Sequence, residues 1–134
     1  MRTLNEYQKF TYAAIAMIMM ISLVNEPPTF KEMKALSRII HENAALMRNY
    51  EYALKVKAHL EKALTEDFYE AANEIQSDLV QMNPSASVAK EALSVAVAYL
   101  KKNEKVTMDK ISVLASSAST MQVPFANPPS FWSA

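Results

Sequence analysis

Asp67, Glu70, Glu74 and Asp78 follow one another at spacings of three, four and four residues. At about 100° per residue, a helix places all four on one face within about 80°. A row of carboxylates supports two kinds of chemistry: weak oxygen ligation of a divalent ion, or docking of a basic partner. No basic residue occurs between Thr65 and Ala89 to offset them. A plainer reading makes the row a solvated helix face, salt-bridged to Lys55, Lys57 and Lys62.

The other residues able to do chemistry point nowhere in particular. His41 and His59 are eighteen positions apart, about 27 Å along one helix and too far for a shared metal. Ser112, Ser116, Ser117 and Ser119 have no nearby histidine or lysine in a catalytic arrangement, so no nucleophile is assigned. Lys101, Lys102 and Lys105 cluster without an aromatic platform, which does not make a nucleic-acid site. Nine methionines at helical spacing read as core filler before a plastic binding surface. The chain has no cysteine, hence no disulfide and no thiolate site, which suits a reducing compartment such as the cytoplasm. It also has no glycine, which removes the usual phosphate-cradling loops, dinucleotide fingerprints and nucleophile elbows. The formal net charge is zero, so nothing overall steers the protein to nucleic acid or an anionic membrane. The expectation is a non-enzyme with no catalytic residue, no cofactor and no metal ligand set.

Helices must position whatever these residues do. Alanine, leucine, methionine, glutamate and lysine dominate, and no stretch alternates as a strand. Phe10–Val24 carries no charge and spans about 22 Å as a helix, short of a bilayer core. No small-residue cleavage site follows it, so it reads as a buried central helix and not as a signal peptide or anchor. Thr3 with Glu6, and Thr29 with Glu32, have the form of capping boxes. Pro27-Pro28 sets an extended elbow. A third helix is expected over roughly Ala44–Leu64, either separate from the second or continuous with it. Thr65, Ser87 and Thr107 read as caps of the later helices. The expected fold is all-α: one bundle of five to six helices over residues 1–120, with a Pro/aromatic tail over 121–134. In that tail Val123, Phe125, Phe131 and Trp132 would cost solubility if left in water. Docking on this chain, on a partner or on a second copy all remain open.

The chain uses one phrase twice. Asn25, Glu26, Thr29 and Leu36 recur 78 residues later as Asn103, Glu104, Thr107 and Leu114. Each phrase follows an apolar helical stretch, which makes two helix–elbow–helix units over residues 12–44 and 90–118. These units resemble the tellurite-resistance TerB-like family. Elbows in that family read acidic residue, Gly, any residue, aliphatic, Ser/Thr, two residues, Glu. Thr29 and Thr107 match the cap, Val106 the aliphatic position, and Glu32 the final acid. Asn25 and Asn103 stand at the acidic position, Glu26 and Glu104 at the glycine, Pro28 at the first aliphatic position, and Lys110 at the second final acid. The resemblance implies an all-helical fold and, through Glu26, Glu32, Glu104 and Asp109, metal binding in a stress response. The opening Thr3-Leu4-Asn5-Glu6-Tyr7-Gln8 is similar to that of MazG-type nucleotide pyrophosphohydrolases. The paired acids that chemistry needs are replaced here by Met and Ile in the first helix.

From the residues, the expected function is non-enzymatic protein binding by a small accessory or adaptor protein, such as a phage or mobile element uses to modulate a host factor. Its partner surface would be the row from Asp67 to Asp78 together with Phe125, Phe131 and Trp132. The alternative is the TerB-like metal-binding stress-response protein. Neither nucleic acid nor membrane is expected as a partner, and self-association is open.

Overall fold

The first helix is the centre of the molecule. The computed structural model describes residues 3–125. In α1 (Glu6–Leu23), Phe10, Thr11 and every residue from Ala13 to Ser22 are buried. Six further helices surround it: α2 (Phe30–Glu42), α3 (Ala44–Arg48), α4 (Tyr50–Glu66), α5 (Phe68–Met82), α6 (Ala86–Leu100) and α7 (Met108–Thr120). α1 packs most extensively on α6 and α4, and also touches α3, α5 and α7. The described residues form an all-α bundle without a strand, and none of its helices is long and apolar enough to cross a membrane.

Side-chain size explains the tightest seam. Ala13, Ala14 and Ala16 on α1, and Ala89, Ala92 and Ala96 on α6, are fully buried. Small residues let two backbones approach, and larger neighbours then interlock around them. The outer helices bury one stripe each. Ala53, Val56, Leu60 and Leu64 do so on α4, and Ala71, Ile75, Leu79 and Met82 on α5. Each is a period near 3.6 that turns a single face inward. A fully buried Leu or Ile contributes about 1.5–3 kcal/mol. Met121 and Val123, beyond α7, join the same core.

Caps set where the helices begin, and here several expectations change. Thr29 and Glu32 form the expected reciprocal box on α2, and the Thr107 hydroxyl accepts from Lys110 N on α7. The first helix is capped by Asn5 with Gln8, not by Thr3 with Glu6. Two box patterns overlap there, and Asn is the stronger cap. α5 is capped by Asp67, whose carboxylate accepts from Glu70 N, while Thr65 lies in the last turn of α4. α6 is capped by Ser85 instead of Ser87: Ser85 is the extended residue, and its hydroxyl accepts from Val88 N–H. The expected five or six helices become seven among the described residues. Asn43 ends α2 and caps α3, and Asn49, at φ −120° and ψ 44°, breaks the expected 44–64 helix. Without glycine, the left-handed positions fall to Asn25, Asn83 and Gln122. At Gln122 the chain reverses after α7, and Val123 N–H bonds to the Ala118 carbonyl, a Schellman closure.

Candidate functional site

The acidic row does not behave as one face. Asp67 is spent as a cap. Asp78 is half-buried, and its Oδ2 accepts from the Tyr12 hydroxyl at 2.9 Å. Burial pushes the Tyr12 phenol up, and the Asp78 hydrogen bond and charge push it further. Tyr52, on α4, is raised by burial and then by Asp78. The C-terminal end of the row is therefore tied to α1. Glu70 and Glu74 remain exposed and enter no ion pair among the described residues. The salt bridges expected from Lys55, Lys57 and Lys62 to this row do not form; Lys57 pairs along its own helix with Glu61 at 4.0 Å. Tyr69 (74% exposed) and Val80 (62% exposed) stand on the same outer side of α5.

A second polar site lies where the two elbows meet. Lys110 Nζ is 3.6 Å from Glu32 Oε2, and both side chains are only 6% exposed. Lys110 also donates to Asn103 Oδ1 at 2.6 Å and to the Lys105 carbonyl at 3.3 Å. The other oxygen of Glu32 accepts from Thr29 N–H at 2.9 Å. Asn103 Nδ2 donates to the Tyr99 carbonyl, and Asn25 Nδ2 donates to Asp109 Oδ2. A buried charge is costly unless it is paired and its remaining valences are filled. Here the ammonium has three oxygen partners.

Behind this junction, the Tyr99 and Ser22 hydroxyls lie 2.6 Å apart in the interior. Burial raises the Tyr99 phenol, while its bond with Ser22 pulls the other way. The pair forms the inner wall of a cavity of about 250 Å³ between α2 and α4. The cavity exists because α2 packs chiefly on α3 and α6 rather than on α4. Met19, Met33, Leu36, Ile40 and Leu54 supply its apolar sides, and His41, Lys57 and Glu61 its rim.

His41 is used structurally. Its Nδ1–H donates to the Ser37 carbonyl at 2.8 Å, and its ring sits 5.5 Å from that of Tyr50. His59 is exposed on α4. Phe125 is half-buried against the core; Phe131 and Trp132 lie outside the described residues. Sequence reasoning missed the Glu32–Lys110 junction and the Ser22–Tyr99 pair. The first had a signal, opposite charges at matching positions of the two phrases. The second had none, since a lone serine and a lone tyrosine in apolar helices look like filler. The chain matches no protein-family model, no curated protein and no solved structure.

Proposed function

We propose that this protein is a non-enzymatic binding module that presents the outer side of α5 to a basic protein partner, in the role of an accessory or adaptor. The observation that carries this reading is that Glu70 and Glu74 are exposed and enter no ion pair among the described residues, on the helix that also exposes the ring of Tyr69. Unpaired carboxylates steer a basic partner and set its register. An exposed aromatic supplies the desolvated anchor on which most interface energy concentrates. The test compares wild type with E70K/E74K as bait in the native cell extract, with melting curves of both. The expected result is a protein retained by wild type and lost by the variant, more weakly held as salt rises, with the melting midpoint unchanged. Identical capture by both baits overturns the reading.

The two elbows are read as halves of one pseudo-repeat. The support is that Thr29 and Thr107 cap helices at the same offset, and that the third helical residues, Glu32 and Lys110, meet each other. The TerB-like resemblance rests on those same elbows, and its metal-binding corollary fits these residues poorly. Glu32 is committed to an ammonium, and among the described residues no three acidic or histidine side chains converge.

A further inference from the structure

We propose that the cavity between α2 and α4 binds a small, neutral, largely apolar molecule with one hydrogen-bond acceptor, of the aryl or branched-alkyl carbonyl class. Ser22 (5% exposed) and Tyr99 (fully buried) each carry one hydroxyl hydrogen, and a single hydrogen serves the bond between them. Whichever group donates, the other hydroxyl's hydrogen meets no acceptor among the described residues. A buried donor left unused costs about 1–3 kcal/mol, and buried polar groups are nearly always satisfied by something. Both residues line the cavity, and Ser22 is the one that keeps accessible surface. With Tyr99 donating to Ser22, the spare hydrogen is that of Ser22 and is available to whatever fills the cavity.

The walls define the rest of the occupant. Met19, Met33, Leu36, Ile40 and Leu54 offer no polar side-chain atom beyond thioether sulfur, and two flexible methionines let the site adapt. A cavity of about 150 Å³ takes benzene; at about 250 Å³ this one takes a ring with a short substituent. The only cation at the rim with an acid beside it, Lys57, is paired with Glu61. Burying a charged ligand deep in the cavity would leave that charge uncompensated, so the ligand is neutral. This site is separate from the α5 surface and involves a different class of partner.

Acetophenone and cumene test the proposal, because they match in shape apart from a carbonyl oxygen in place of a methyl group. Each is titrated into the full chain carrying ¹³C-methyl methionine. The expected result is saturable movement of the Met19 and Met33 methyl signals, with acetophenone bound about tenfold more tightly. In S22A/Y99F, which removes both donors, the preference falls to about one. In S37W, which fills the cavity from an exposed rim position, both ligands lose binding. Failure of either ligand to move those signals means the cavity holds only water and overturns the proposal. Equal affinities in wild type overturn it too, as does undiminished binding to S37W.

Discussion

Glu32 and Lys110 hold the same place in two different helices, third after a capping threonine, and their side chains meet in the interior 3.6 Å apart. Their surroundings are not equivalent. Glu32 faces a backbone N–H, whereas Lys110 faces an amide oxygen and a carbonyl. Removing one member, as in K110M or E32M, should cost about 3–5 kcal/mol, because the other is left buried and uncompensated. The double variant should lose less than the sum. The exchange E32K/K110E keeps a pair but sets a carboxylate against Asn103 Oδ1 and the Lys105 carbonyl, so it should be less stable than wild type. Urea denaturation of the five proteins decides; an exchange as stable as wild type would show that the environment is indifferent to sign.

The raised phenols predict alkaline sensitivity. Tyr12 and Tyr99 are raised in the folded state, so at neutral pH these two phenols are protonated in folded and unfolded chains alike. Above the unfolded tyrosine value of about 10, the unfolded chain releases protons that the folded chain keeps. Stability should be level up to about pH 9 and then fall, by about 1.4 kcal/mol per pH unit for each such tyrosine. Y12F should reduce that slope by about one proton. A slope unchanged by Y12F would mean that this phenol titrates normally.

Cap assignments give paired contrasts. N5A, D67A and S85A should each cost about 0.5–2 kcal/mol. T3A, T65A and S87A, at the neighbouring candidates, should be nearly silent. T29A and T107A should behave like the first group. Chemical denaturation of the matched pairs is the check, and a costly T65A with a silent D67A would reverse the α4–α5 boundary.

Within the acidic row, stability and surface separate. D78N weakens the 2.9 Å bond from Tyr12 and should cost about 1.5–3 kcal/mol, the range for hydrogen bonds to charged groups. E70Q and E74Q should leave the melting midpoint within a degree or two of wild type, since each is exposed and such sites change stability by less than about 0.5 kcal/mol. A large loss in E74Q would tie that carboxylate to the Tyr12–Asp78 bond.

Much of the fold was legible from local pattern. The uncharged run after Lys9 marked the central helix, and Thr29 and Thr107 marked two helix starts. The misplaced caps share one cause. Thr3 and Asn5, Thr65 and Asp67, and Ser85 and Ser87 are pairs of good cappers two residues apart. The sequence offers both members of each pair, and the cap hydrogen bonds select Asn5, Asp67 and Ser85. Asn49 broke a helix with a residue that propensity alone tolerates. The site was less legible because its parts come from distant chain. Asp78 reads as one of four similar acids until Tyr12, 66 residues away, bonds to it. Ser22 and Tyr99 acquire meaning only once α1 and α6 are side by side.

The position of α1 in the bundle sets a problem of timing during synthesis. Among the described helices, the one buried on all sides is made before the others, yet its principal neighbour, α6, begins at Ala86. At about 5–20 residues per second, the roughly sixty residues between them take some three to twelve seconds to make. For that interval the Ala/Met/Ile surface of α1 has α3, α4 and α5 to cover it, without its largest contact. Packing around α1 therefore cannot finish as that helix emerges: closure awaits α6 and α7, and the nascent chain is most in need of holding just before they arrive.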